Sequence, residues 1–598
     1  MTLPQSDLYE EVVRRQVRQG PGEHWLALID RILLGEEKEW LEIERTYPHA
    51  TGWLFQYAKE AARKNINRQN EQGAKAPTSF STTQIFTPRW VADRLCEISI
   101  VSPLQSVHDP AMGAGQFLLA AYDRLKELGA QPCQAAALIS GSDLDPEVLR
   151  IARFGLRTRF LEDGVQMAPR IYEADLLTST WSAELTITNP PFLGRRALGK
   201  DLRPLLDDHR PFHFDLFATT LRRAMLADSE RIAMILPQSF WFLERFREAR
   251  KVVLGDYALS HFFLMGPDTF LGLSGQKSAS AVFSLIKKQP HANPTKTHFY
   301  DLRPYKRERK NEIAKGQGVE KLVDEVTNVP GGGLAFFLED CLRESFRRFP
   351  PLSSIAEVVG SGNKTADNKR YLRMRSELEA TKIRRVEELG SEGAEDSRWV
   401  PYAKGGKFAP WWGNWDYVVD WSPEARHFYA TNRSSNLLGE KYWFRKGLTY
   451  SDLSSVALGV RRLPEGTLFD MTGPAIFVEN DDQRFLDGLM VILNSTALRK
   501  IVQAINPTLH IQVGDLRKVP IPAEEVLRFS DYGARLAVLV QTILCEPSED
   551  LLRSYLNLER EADEEVCKLY GFRPQNEDMF KHHSLRSVFM TSPNKSVY

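Results

Sequence analysis

Between about residues 83 and 290, short β-branched runs alternate with helical patterns, and nothing else in the chain restricts its fold so tightly. "LQSVHDP", "AALISGSD", "RIYEAD", "LTITNPP", "RIAMILP", "SHFFLMG" and "SASAVFSLIKK" read as strands. "GQFLLAAYDRLKELG" and "DPEVLRIARFGLRTRF" repeat apolar residues at three and four and read as helices between the early strands. A helix between two strands carries the chain back to its starting edge, so the strands it joins run parallel. The expectation is an α/β fold with a doubly wound, mostly parallel sheet.

The flanks differ. Residues 1–80 read as an N-terminal helical region, with the polar stretch "NRQNEQGAKAPTSFST" (67–82) as a linker. The α/β domain is assigned to 81–295 and a polar linker to 296–350, with "NVPGGG" as a boundary. Residues 351–525 are aromatic and glycine-punctuated, with short strand-like runs, and read as an α+β domain. A charged insert, "RSELEATKIRRVEELGSEGAEDS", interrupts them as an exposed helix or loop. Residues 526–598 return to helical periodicity. No run nears the roughly 18 apolar residues of a membrane span, so no membrane association is expected. The first residues lack the apolar core of a signal peptide. Five scattered cysteines without CxxC spacing argue against a metal site and for the reducing cytoplasm. With 78 basic and 78 acidic residues, net charge decides nothing about partners. The basic run "DLRPYKRERK" (301–310) reads as a solvated face.

In an open α/β sheet, ligands bind beyond the carboxyl ends of the strands, and four strand ends here carry loop chemistry. "DPAMGAGQF" offers Asp109, then Gly113 and Gly115 opening a helix, where backbone can approach a ligand closely. Alone, that pattern is more often a plain tight turn. "GSDLDPEVL" ends a strand at Asp143, placed to take both ribose hydroxyls of a nucleoside. Asp145, just before Pro146, is assigned the helix cap instead. "YEADLL" brings Asp175, an acceptor for an adenine amino group. "LTITNPPFLG" ends a buried strand with Asn189, Pro190, Pro191 and Phe192. The Asn189 side-chain oxygen and the Pro190 carbonyl can converge on one exocyclic amine, and Phe192 can stack on a flat base. In duplex DNA such a base must first be flipped out.

These four stretches, in this order and spacing, resemble motifs I to IV of S-adenosylmethionine-dependent adenine-N6 DNA methyltransferases of the gamma class. "QIFTPRWVADRL" resembles motif X, "DLFATTLRRAML" and "RIAMILPQSFWF" motifs V and VI, and "FFLMGPDTFLGLSGQKSASAVFSLIK" motif VIII. The resemblance implies a Rossmann-like methyltransferase domain that uses S-adenosyl-L-methionine. It puts Thr87, Pro88, Asp109, Pro110, Ala111, Gly113, Gly115, Phe117, Asp143 and Asp175 around that cofactor, Asn189 to Phe192 at the reacting amine, and Phe270 beside the flipped base. It also implies direct methyl transfer without a cysteine nucleophile. Met112 departs from the family, which often has cysteine there.

"GSGNKTADNKRYL", "PYAKGGKFAPWWGN", "KGLTYSDL", "LGVRRLPEGTLFDMTGPAIF" and "INPTLHIQVGDLRKVPIP" resemble the target-recognition region of PglX-like methyltransferases from BREX phage-defence systems. Lys364, Lys404, Lys407, Lys446, Arg461 and Arg462 are then the DNA-contact candidates. The expected partners are double-stranded DNA and other subunits of such a defence complex. Residues 398–421 hold five of the twelve tryptophans, read mainly as β-core.

Competing readings are weaker. A fused nuclease would have only Asp30, Glu36, Glu37 and Lys38 to use, on a helical pattern rather than at strand ends. RNA and protein-glutamine methyltransferases share Asn-Pro-Pro-aromatic corners but rarely carry a large C-terminal recognition domain. A sensor that binds DNA or cofactor without turnover would not need intact motifs I and IV.

Overall fold

The computed structural model describes Val13, Val17 and residues 22–58, 87–200, 202–266, 269–270, 279–291, 293–384, 398–454, 457–508 and 510–574. The expected linker 67–82, much of the charged insert, residues 271–278 of the motif VIII stretch and the last 24 positions lie outside them. The chain divides into two compact units, Met1–Thr327 and Asn328–Tyr598.

The first unit is built on a nine-stranded sheet. All seven sequence-predicted strands form: β1 (Val107–Asp109), β2 (Ile139–Asp143), β3 (Ile171–Glu173), β4 (Leu185–Thr188), β5 (Arg231–Pro237), β6 (Tyr257–Gly266) and β7 (Ser280–Lys287). Two more, β8 (Thr297–Asp301) and β9 (Val319–Lys321), extend it into the stretch read as a linker. There Phe299, Tyr300 and Leu302 are buried, and the charged residues on either side mask the pattern. Strand order is β3-β2-β1-β4-β5-β7-β6-β8-β9. The pairs from β3 through β5 are parallel, and β7 runs antiparallel to both β5 and β6.

Helices α1 (Gly22–Leu34), α2 (Lys38–Thr46), α3 (Arg89–Ser99), α4 (Gln116–Glu127), α5 (Pro146–Glu162), α6 (Leu216–Leu226) and α7 (Arg247–Asp256) belong to this unit. α5 starts as its sequence dictates, with Pro146 in the first turn and the Asp145 side chain accepting the Glu147 amide at 3.0 Å. α4 starts at Gly115, whose φ of 86° is open to glycine at little cost. The N-terminal helices are packed rather than appended: Ile29, Ile32, Trp53 and Tyr57 share a core with Ala114, Val148 and Ile151. The run 301–310 is also more than a solvated face, since Lys310 is buried and donates to the Met265 carbonyl at 2.7 Å.

The second unit holds two four-stranded sheets. One has the order β10 (Glu357–Val359), β17 (Ala475–Phe477), β14 (Gly447–Tyr450), β15 (Val460–Leu463). The other has β11 (Leu372–Met374), β13 (Tyr417–Asp420), β12 (Trp399–Ala403), β16 (Leu468–Phe469). Helices α8 (Gln483–Asn494), α9 (Thr496–Ile505), α10 (Ser530–Cys545) and α11 (Glu549–Leu569) follow. Leu448, Tyr450 and Ile476 of the first sheet share one core with Leu489 of α8, Leu536 of α10 and Tyr555 of α11. That core runs straight through the boundary drawn at 525/526. Of the five clustered tryptophans, Trp411 and Trp421 are buried in it or its neighbour, and Trp399, Trp412 and Trp415 are half-buried.

Candidate active site

The chain leaves β1 toward β2 on one side, and β1 pairs with β4 on the other, so the winding direction reverses between β1 and β4. A crevice opens beyond the carboxyl ends of the strands at such a reversal. Asp109 is the last residue of β1, and Asn189 directly follows β4.

The β1 loop packs by backbone. The Met112 amide donates to the Ser142 carbonyl at 3.0 Å, and a Cβ on Gly141 would stand 2.8 Å from the Met112 sulfur. A larger residue at 141 would push the Met112 and Leu118 side chains aside, so Met112 packs directly over this glycine. Asp143 ties the loops together: one carboxylate oxygen accepts the Gly113 amide at 2.9 Å and the other the Asp145 amide at 3.0 Å. Burial pushes the Asp143 carboxyl up, and these two amides oppose the rise. Asp175 lies two residues beyond the end of β3, half-buried, with one oxygen accepting the Leu177 amide at 2.8 Å.

At the Asn-Pro-Pro-Phe corner, the Asn189 amide nitrogen donates to the Thr87 hydroxyl at 3.3 Å. This contact joins stretches 102 positions apart in sequence, and it turns the amide oxygen away from Thr87. Pro190 is buried and Pro191 half-buried. Phe192 is half-buried and meets Phe217 edge-on, with centroids 6.2 Å apart. Beyond the corner, Gly194 bridges Asp215, whose carboxyl burial pushes up to about 6 against the pull of Arg245 at 3.1 Å.

Other expected residues sit deeper. Phe117 and Phe270 are 3% and 4% exposed, both within the apolar core. Pro88 precedes α3, Ala111 donates its amide to an Asp109 carboxylate oxygen at 3.1 Å, and Pro110 is buried.

Sequence reasoning missed two buried donors with no hydrogen-bond partner, the Gln116 amide nitrogen and the Trp90 indole nitrogen, and the buried pairing of the Thr188 hydroxyl with the Asp109 carboxylate. Each lies within three residues of a quoted motif residue (Asp109 itself, Asn189, Gly115, Pro88), so proximity was their only signal in the sequence. Buried polar atoms are almost always paired, and an unpaired one calls for an explanation such as a water, an ion or a ligand. Burial pushes the Asp109 carboxyl up to about 7, with a hydrogen bond from the Thr188 hydroxyl and then the Ala111 amide opposing the rise. His108 lies outside this set, stacked on Trp181 at 5.7 Å and pushed down to about 4 by burial. His49 is also buried, its ring against the backbone of Gln116.

In the second unit, Lys364 and Lys407 are exposed, and Lys404 and Lys446 half-buried. Arg461 and Arg462 are not surface groups. Arg461 is 0% exposed, and Arg462 makes a two-pronged pair with Asp487 at 2.8 and 2.7 Å. Neighbours along a strand point to opposite faces, and each arginine meets packed structure on its own side, which a basic dipeptide in a loop-like stretch did not reveal.

The chain is 26% identical over 366 residues to the adenine-specific methyltransferase BrxX of Escherichia coli O9:H4 (strain HS), covering 60% of this chain and 29% of that one. It is 24% identical over 389 residues to the adenine-specific methyltransferase PglX of Lacticaseibacillus casei (strain Zhang), covering 61% and 31%. It thus spans about a third of the length of these curated relatives. Among solved structures, the type IIL restriction-modification enzyme MmeI in complex with DNA superposes with a TM-score of 0.52 at 12% identity, over 84% of this chain and 75% of that one. The DrdV–DNA complex gives 0.51 at 11% identity, over 90% and 73%. Both share the fold. Residues 74–376, half of the chain, match the family model for N-6 DNA Methylase, and with its motif loops gathered at the sheet's reversal point the chain belongs to that family.

Proposed function

We propose that the chain transfers a methyl group from S-adenosyl-L-methionine to the N6 amino group of an adenine flipped out of double-stranded DNA. The observation that carries this reading is the junction of Thr87 with Asn189, beside a loop tied by Asp143 to Gly113. When bound, the cofactor supplies an electrophilic sulfonium methyl group. Asp109 would meet its ammonium, and Gln116 and Trp90 its carboxylate, which would pair their two buried donors. Asp143 takes the ribose hydroxyls and Asp175 the adenine amine. At the acceptor side, the Asn189 side-chain oxygen and the Pro190 carbonyl hold the target N6 hydrogens, orienting the nitrogen lone pair. Phe192 stacks on the base. Catalysis is then positioning and electrostatics, with no strong general base required.

Loop lysines of the second unit, Lys364, Lys404, Lys407 and Lys446, contact DNA. The resemblance to PglX-like methyltransferases of BREX systems points to a phage-defence setting, and the likeness to the type IIL enzyme MmeI to restriction-modification; further subunits and a cytoplasmic location are part of this proposal. No described helix is long and apolar enough to cross a membrane. The test is direct: purified chain, labelled cofactor and duplex DNA, followed by nucleoside mass spectrometry. N6-methyladenine is expected. A methylated protein or RNA with unmodified DNA would replace this reading.

A further inference from the structure

Four segments of the second unit cross at one place: 360–364, 403–407, 449–452 and 469–473. The Asp470 amide donates to the Ala403 carbonyl and the Asn363 amide to the Phe469 carbonyl, each at 2.8 Å. The Asp452 amide reaches the Thr472 carbonyl at 3.1 Å, and the Gly406 amide the Ser451 hydroxyl at 3.1 Å. No side chain fits at the crossing. A Cβ on Gly362 would stand 2.2 Å from the Asp470 carbonyl carbon, and one on Gly405 2.2 Å from the Thr472 oxygen. The loop Lys404-Gly-Gly-Lys407 is therefore fixed by its backbone. Lys407 is exposed and has no ion pair among the described residues.

Beneath this loop lies Arg461, fully buried. Its guanidinium donates to the Ser451 hydroxyl and to the Lys404 carbonyl, each at 3.5 Å, and its Nε has no partner. Burial pushes it down to about 10, and no carboxylate opposes the fall. Asp470, the acid at the crossing, is engaged by Lys404 at 3.5 Å, the Met471 amide at 2.6 Å and the Thr472 hydroxyl at 3.1 Å. The next residue, Arg462, shows what a compensated arginine looks like here, paired at both ends with Asp487. A buried cation without an anion is costly, and an apolar side chain of similar volume would serve the core better. The charge makes physical sense if an anion arrives. In a low-dielectric surround its field reaches the loop surface with little screening.

We propose that the Lys404–Lys407 loop binds a phosphate of the DNA backbone, and that Arg461 is its positioning residue, holding the loop through Ser451 and the Lys404 carbonyl and supplying positive charge from below. The inference rests on the DNA reading above. A backbone phosphate fits because the site offers positive charge, an exposed Lys407 above the buried Arg461, on a loop whose glycine amides are held internally by Thr472 and Ser451.

The test uses the full chain with Arg461→Met, Arg461→Lys and Lys407→Ala, and a random-sequence duplex, since phosphate contacts ignore sequence. Arg461→Met should melt at or above the wild-type temperature, yet bind the duplex about tenfold more weakly, with a salt slope shallower by about one. Arg461→Lys should restore most of the binding. Lys407→Ala, at an exposed position that cannot disturb the core, should also flatten the slope by about one. Unchanged affinity and slope in both Arg461→Met and Lys407→Ala would overturn the proposal, and if Arg461→Met fails to fold, Lys407→Ala alone decides. Inorganic phosphate is the second probe. If it raises the wild-type melting temperature and not that of Arg461→Met, while duplex binding is the same in both, the loop serves a free phosphate and the DNA proposal falls. A wild-type chain that binds no duplex at all would instead remove the DNA reading on which this one stands.

Discussion

A carboxyl pushed to about 7 inside a fold is a measurable strain on that fold, and Asp109 is one. Its unfolded value is near 3.8, so between about pH 4 and pH 7 the folded chain binds more protons than the unfolded chain, and stability falls as pH rises through that window. Above pH 7 the penalty is complete, on the order of 4 kcal/mol at about 1.4 per unit. Asp109→Asn should therefore flatten the pH dependence of urea unfolding of the first unit and raise its stability at pH 8. The same substitution should weaken cofactor binding by calorimetry, because an amide cannot neutralise an ammonium. A variant that keeps the wild-type slope would mean the carboxyl is already ionised at low pH. At Asn189 the expectation is opposite in kind: Asn189→Ala should cost roughly 100- to 1000-fold in single-turnover methylation while cofactor affinity holds. Thr87 acts on the amine only through Asn189, so Thr87→Val should lose less, about tenfold. Equal losses at the two positions would show that Thr87 does more than orient the amide.

Elements were legible where one strand or helix carries its own pattern. All seven predicted strands form because β-branched runs bounded by turn residues leave the backbone few choices, and Asp145 with Pro146 announces α5. What escaped depended on contacts far apart in sequence. β8 hides among charged residues because its burial comes from β6 beside it, and the inward turn of Arg461 comes from its pairing with Thr449. Phe117 and Phe270 show the same limit at the site, since a motif position does not say whether its ring faces ligand or core. The close approach of α8 to α10 and to the turn that precedes α10 was equally invisible. A Cβ on Gly533 would lie 2.1 Å from the Asp487 carbonyl oxygen, and one on Gly488 2.0 Å from the Val526 oxygen. Backbone cannot yield as a side-chain tip can, so Gly533→Ala should destabilise the second unit by about 1–3 kcal/mol despite alanine's better helix propensity. Chemical denaturation followed by tryptophan fluorescence would read this, and a stabilised variant would contradict the packing.

At the scale of the whole molecule, each unit closes its own core, and this decides how specificity could be moved. The candidate cofactor residues Asp109 and Asp143 and the candidate catalytic Asn189 lie in Met1–Thr327, and the candidate DNA-contact lysines lie in Asn328–Tyr598. A pocket that accepts flipped adenine cannot read the neighbouring base pairs. Those require side chains in the grooves, each good contact discriminating by about 1–3 kcal/mol. Cutting at 351 and 525, the limits read from sequence alone, would split a core that joins Leu352 and Leu448 to Val526, Leu536 and Tyr555, and the exchanged piece would meet a foreign helical face. Cutting at 327/328 leaves both cores whole. Exchange of residues 328–598 for the matching part of a relative should therefore give a folded chimera that binds cofactor as before and methylates the relative's motif. The readout is modified-base-sensitive sequencing of DNA from cells expressing each version. A folded, active chimera that still marks the original motif would put sequence choice in the first unit or in a partner, whereas a chimera cut at 351 and 525 should be the less stable of the two on heating.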